Sequence, residues 1–210
     1  DDDQNGYVDD IHGWNFLGDA ELENMESVRL QKKEIPGSKA FEKFEKDRLK
    51  NIKNKKKELT DIENIIEQYH ESDSIIKVTL GKENYTLDEI ENFSPKTFNL
   101  MEALIFRRFL NDNQLTKSKL EVYLQGAQNS INAHYNIDFN GRAVVGDDPY
   151  DINDHRYGNA NVIGPEKEGA KHGTHVCGII ASSRNNDNGN RGVFDNSKLM
   201  VLRAVPDGDE

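Results

Sequence analysis

The stretch His172-Gly173-Thr174-His175-Val176-Cys177-Gly178-Ile179-Ile180-Ala181 decides how this chain is read. Polar residues precede it, and small or apolar residues then follow at helical spacing, which predicts a loop entering a helix from about Gly173 to Ser183. The apolar run Leu199, Met200, Val201 and Leu202, ending near Val205, predicts a strand after that helix. Upstream, Arg142-Ala143-Val144-Val145 predicts another short strand, followed by Gly, Asp, Asn and Pro turn residues as far as Tyr157. Strand, helix and strand joined by short loops belong to an α/β sheet. A base that works near neutral pH must be uncharged, and the positive end of a helix disfavours imidazolium; His172 stands at such an end. Gly173 and Gly178 carry no side chain, which would let backbone approach the start of this helix and its packing face.

Farther out, Gly192-Val193-Phe194 and Val201-Leu202-Arg203-Ala204-Val205 follow the helix. The chain opens on Asp1-Asp2-Asp3-Gln4-Asn5-Gly6-Tyr7-Val8-Asp9-Asp10 and then Gly13-Trp14-Asn15-Phe16-Leu17, an acidic loop leading into a short strand. The histidine motif resembles that of subtilisin-like serine proteases, and the stretches just quoted resemble their neighbours in that family. The resemblance implies a parallel α/β core, His172 as general base with His175 structural, a peptide or protein substrate, structural calcium and an extracytoplasmic setting. Cys177 stands where the family commonly has alanine and reads as a small buried hydrophobe. Neither the Asp-Ser-Gly or Asp-Thr-Gly context of the family's aspartate nor the Gly-Thr-Ser context of its nucleophile occurs in the sequence. The chain therefore reads as an internal piece of a longer protease, catalytically silent alone, since hydrolysis needs nucleophile, base, orienting acid and oxyanion donors together. The competing reading is a noncatalytic interaction protein that displays a helical module on a degenerate protease core.

That module is the middle of the chain. From Ala20 to about Asn140 the composition turns to Lys, Glu, Asn, Leu and Ile. Phe41, Phe44, Leu49, Ile52, Leu59, Ile62, Ile66 and Tyr69 recur mostly at steps of three to five, predicting a long amphipathic helix. Ile75 to Leu80 is expected as a strand, Thr86 and Glu89 as a capping box, Ser94-Pro95 as a helix start, and Thr116 as the start of another helix. The expected fold class is thus α/β: a partial subtilisin-like parallel-sheet core in segments 1–19 and 141–210, interrupted by a mainly α-helical insertion at 20–140. Edges left open in an incomplete sheet are expected to favour self-association.

Asp1, Asp3, Asn5 and Asp9, with Gly6 at the turn and Tyr7 beside it, follow the early spacing of an EF-hand calcium loop. His12 stands where a bidentate glutamate belongs, so calcium loop and solvated acidic turn remain as two readings. Asp147, Asp148, Asp151 and Asp154 read as a solvated acidic loop. His172 and His175 lie one helical turn apart without the glutamate of a metalloprotease motif. A net charge of -11 argues against nucleic-acid binding, and no apolar run is long enough for a membrane span. The basic run from Arg29 to Lys57 reads as the exposed side of the long helix. With Cys177 as sole cysteine, the chain folds without an internal disulfide or a multi-cysteine zinc site, and no organic cofactor is expected.

Overall fold

The computed structural model describes residues 4–91, 93–148, 150–165, 170–185, 189–194 and 196–206. In chain order the main elements are β1 (Gly13–Asn15), α1 (Glu26–Lys33), α2 (Lys39–Leu80), α3 (Leu87–Glu91), α4 (Phe98–Asp112), α5 (Lys117–Asn129), α6 (Lys171–Ala181) and β2 (Val201–Arg203). A π-turn at Ser130–His134 and a 3-10 turn at Gly141–Val144 lie between α5 and α6. The chain divides into two compact units, one formed by Asp1–Phe41 with Ala133–Glu210 and the other by Glu42–Asn132.

The first unit is organised by a parallel pair. Gly13, Trp14 and Asn15 of β1 lie in register with Val201, Leu202 and Arg203 of β2. Gly13 is required here: its φ is +115°, and a Cβ on it would lie 1.9 Å from the Val201 carbonyl oxygen. A third segment joins the pair through Asn15 and Asn159, which exchange backbone N–H···O bonds of 2.8 and 3.0 Å. Aromatic rings close over β1. Tyr7 lies 4.9 Å from Trp14 and 5.8 Å from Phe16, Phe16 lies 6.0 Å from Tyr157, and the Trp14 indole N–H donates to the Tyr157 carbonyl.

Where the polypeptide leaves toward the helices and where it comes back, buried Asn24 ties the two strands of chain together. Its amide donates to the Ala133 and Asn136 carbonyls, the Met25 N–H donates to the His134 carbonyl, and the His134 ring meets the Glu23 carbonyl at 3.0 Å. These bonds fall on the Ala133 and His134 carbonyls at the end of the π-turn and on the Asn136 carbonyl just beyond it.

The second unit is helical. α2 runs 42 residues, about 63 Å at the usual rise. Its half-buried and buried positions include Phe41, Ile52, Leu59, Ile62, Ile66, Tyr69 and Ile76, one stripe repeating every three to four residues. The core gathers Ile76, Ile90, Leu100, Ala103 and Leu104, with Ile75, Leu80, Tyr85 and Phe93 packed against it. Beside it, Tyr85 donates to Asp73 at 2.7 Å, Lys77 pairs with the same carboxylate at 2.9 Å, and the Arg107 guanidinium lies 4.2 Å above the Tyr69 ring. The Thr86–Glu89 capping box forms with bonds in both directions, and Thr116 caps α5.

Four local expectations change. Ile75 to Leu80 is the last turn and a half of α2 and not a strand: Ile76 fits the core at helical spacing, and the Thr79 hydroxyl bonds back to the Ile75 carbonyl. Helix α4 begins after Thr97, whose hydroxyl accepts the Leu100 N–H, and not at Ser94-Pro95. Arg142–Val144 lies in the 3-10 turn Gly141–Val144 and not in a strand, with Val145 capping it, and Gly141 sits where a Cβ would lie 2.1 Å from the Leu22 carbonyl oxygen. The last strand covers only Val201–Arg203 of the expected run to Val205.

Candidate functional site

His172 is the second residue of α6 and is exposed, as is His175 one turn later. No side chain caps this helix at Ala170; the Thr174 hydroxyl donates to the Ala170 carbonyl instead. Segment 166–169, which leads into the helix, lies outside the described residues.

The other end of α6 is held firmly. The N–H groups of Gly192, Val193 and Phe194 donate to the carbonyls of Ser182, Ile179 and Ile180 at 2.9 to 3.0 Å. A Cβ on Gly192 would lie 2.4 Å from the Ser182 nitrogen, so only glycine permits this approach. Arg184 reinforces the turn by donating to the Gly192 and Val193 carbonyls. The close backbone contact expected at Gly173 and Gly178 is found here at Gly192: among the described residues nothing lies within 4 Å of a Cβ on Gly173, and Gly178 meets the Ser182 hydroxyl at 3.6 Å. Cys177 is a free thiol of intermediate exposure, not fully buried as its hydrophobic reading implied. Val176, Ile179 and Ile180 are exposed, and no residue of α6 is buried.

Of the proposed calcium ligands, Asp1 and Asp3 lie outside the described residues. Asn5 accepts the Tyr7 N–H at 2.8 Å through its side-chain oxygen and donates to Asp10 at 2.8 Å. Left-handed φ values at Gln4, Gly6 and Asp9 wind this loop tightly. Of the expected ligands, Asn5, Tyr7 and Asp9 fall within the described residues. Among the described residues, no three His, Cys, Asp or Glu side chains converge as a metal site.

In the acidic loop, Asp148, Asp151 and Asp154 accept N–H groups from within the loop, Asp154 from Asp148, and Asp147 pairs with Arg142. These carboxylates shape a turn. Sequence reasoning missed the knot of Asn15 and Arg203. The Arg203 guanidinium donates to the Asn15 side-chain oxygen at 3.1 Å, to the Gly18 carbonyl at 3.3 Å and to the Ala20 carbonyl at 2.9 Å, fixing the loop that leaves β1. A buried asparagine in a strand is the one sequence signal that could have found it.

The model of the subtilase family matches residues 62–210, the greater part of the chain, and runs through α6, the Gly192 turn and β2. The chain belongs to the subtilase family. The matched range opens within α2, so the subtilase assignment rests on the later part of the helical unit together with the histidine helix. Subtilisin-like protease 1 of Plasmodium vivax is 36% identical over 105 residues, 46% of this chain and 16% of that protein. Subtilisin-like protease 1 of Plasmodium falciparum (isolate 3D7) is 30% identical over 147 residues, 66% of this chain and 19% of that protein. The subtilase chain described here therefore spans less than a fifth of the length of these relatives. No solved structure matches it. Among the described residues of this subtilase no helix is long and apolar enough to cross a membrane.

Proposed function

We propose that this chain supplies the general base, His172, of a subtilisin-like serine endopeptidase. The observation that carries the reading is His172 in an exposed first turn of α6, within the His-Gly-Thr-His segment that the family match runs through. His172 would take the proton of the attacking serine hydroxyl and return it to the nitrogen of the leaving amine. Its exposure supports this role, because a base must reach both groups in turn. The serine, the orienting aspartate and the oxyanion donors would come from sequence outside these 210 residues, so the chain by itself is inactive on peptides. The substrate is a peptide or protein, and the setting is extracytoplasmic, as is common in the family.

The division into core segments 1–19 and 141–210 around a helical insertion at 20–140 belongs to the same proposal. It is supported by the bonds of Asn24 and Met25, which bring the outgoing and returning chain together. Calcium, where bound, would neutralise and stiffen the opening loop through Asp1, Asp3, Asn5, Tyr7 and Asp9. Calorimetric titration with calcium of a chain extended at its N-terminal end tests this, and absence of any heat of binding would discard it.

The catalytic proposal is tested with a chain extended at both ends and treated with a fluorophosphonate probe. Labelling that His172→Ala abolishes supports a histidine-activated serine. A folded extended chain that fails to label would point to the noncatalytic scaffold instead.

A further inference from the structure

Helix α4 has two apolar faces, and only one of them is used inside the helical unit. Leu100, Ala103, Leu104 and Leu110 are buried, the first three in the core with Ile76 and Ile90. On the opposite side Phe98, Met101, Ile105 and Phe109 are 65%, 39%, 56% and 50% exposed. Their spacings of three, four and four residues place them in one line along the helix, about 16 Å long. Isolated exposed apolar residues are ordinary, but a continuous line containing two phenylalanines marks an interaction surface.

We propose that this line is a self-association surface on which a second copy of the chain lays its own α4 in the antiparallel direction. The pattern is self-complementary. With a two-fold axis passing between residues 103 and 104, Phe98 meets the partner's Phe109 at each end of the line, and Met101 and Ile105 fill the middle. An isologous contact of this kind is closed and stops at two copies. Charge selects the direction. Exposed Lys96 lies just before the helix and exposed Asp112 lies in its last turn. Antiparallel packing brings each Lys96 near the partner's Asp112, and opposes the helix dipoles, whereas parallel packing would set like charges together.

The size of the line sets the strength. Half-exposed side chains of these types offer roughly 400 Å² per copy, hence about 800 Å² in the pair before rim residues are added. That lies below the roughly 1,200 Å² at which stable specific interfaces begin, so the dimer is weak and reversible and forms only well above the micromolar range unless rim residues add area. A net charge of -11 on each copy opposes association, so added salt strengthens it by screening.

The test is sedimentation equilibrium of the whole chain from about 10 µM to 1 mM, with roughly 0.05 and 0.5 M salt. The expected result is a monomer–dimer equilibrium that tightens with salt. Ile105→Glu should weaken it at least about tenfold with unchanged helical circular dichroism, while Val78→Glu, at an exposed apolar residue of α2, should leave it intact. Lys96→Glu should weaken it, and Lys96→Glu combined with Asp112→Lys should restore it. A monomer throughout the range overturns the proposal. So does association that Ile105→Glu leaves unchanged, which would locate the contact elsewhere, for instance at the open edges of the β1–β2 pair.

Discussion

Replacing Asn15 by alanine should loosen the first unit and leave the helical unit in place. Asn15 is 0% exposed and its side chain makes four hydrogen bonds: it donates to the Gly18 carbonyl and the Asn159 side-chain oxygen, and accepts from the Leu17 N–H and from Arg203. Alanine removes all of them. The Gly18 carbonyl keeps a bond from Arg203, but the Leu17 N–H loses its side-chain acceptor and the guanidinium loses one of three. A buried group left unsatisfied costs about 1–3 kcal/mol, more where a charge is involved, so the loss should be about 2–4 kcal/mol. Trp14, the single tryptophan, lies beside Asn15 in β1 and reports the first unit, whereas far-ultraviolet circular dichroism is dominated by α2, α4 and α5. In urea titrations the fluorescence midpoint should fall and the dichroism midpoint should hold. A fluorescence shift worth less than about 0.5 kcal/mol would refute the claim that this knot holds β1, because even one neutral hydrogen bond contributes that much.

Gly158→Ala should act on the same unit, since a Cβ there would lie 2.1 Å from the Asn15 carbonyl oxygen at a φ of +84°; a wild-type fluorescence midpoint would contradict it. Ile76→Ala, in the core of the helical unit, should cost about 2–5 kcal/mol and move the dichroism midpoint with little effect on Trp14. Acid should also act on the helical unit through Asp73. Burial alone would raise its pKa, but hydrogen bonds from Lys77 and Tyr85 and the positive charges of Lys77 and Arg107 together hold it below the usual value. A depressed folded pKa contributes stability above the unfolded value near 4 that is lost as pH falls through the folded one. Asp73→Asn should therefore flatten the acid side of a pH–stability curve read by dichroism, and an unchanged slope below about pH 4 would count against it.

The period of the apolar residues made the helices legible, and hydroxyl–carboxyl pairs such as Thr86 and Glu89 made their starts legible. Propensity misled where burial overrode it: Ile75, Ile76 and Val78 are strand formers, yet Ile76 is carried into the core by a helix that had already begun. The histidine helix was legible because its residue types are dictated locally. The Asn15–Arg203 knot was not, because its partners lie 188 positions apart and pair only once β1 and β2 are side by side. The glycine at the tightest approach to α6 was also misassigned, to Gly173 and Gly178 in place of Gly192, since sequence shows which residue lacks a Cβ but not which backbone comes close.

The uneven support of α6 has a consequence for the proposed base. An 11-residue helix is marginal unless its face is packed, and no residue of α6 is buried. The ladder from Gly192, Val193 and Phe194 to the carbonyls of Ser182, Ile179 and Ile180 holds its C-terminal end, while at the first turn, with His172, the Thr174 hydroxyl bonds back to the Ala170 carbonyl. Local opening should therefore start at the N-terminal turn. Amide hydrogen exchange of the chain should show little protection for residues 174–176, rising protection toward Ser182, and measurable protection at Val193 and Phe194. Gly192→Ala should erase the gradient by breaking the ladder. Uniform protection along α6 would refute this reasoning and mean that the first turn is as rigid as the last. A gradient would mean that His172 is delivered by a helix anchored at its far end, so a fixed position for the base requires contacts beyond those its own helix makes in this chain.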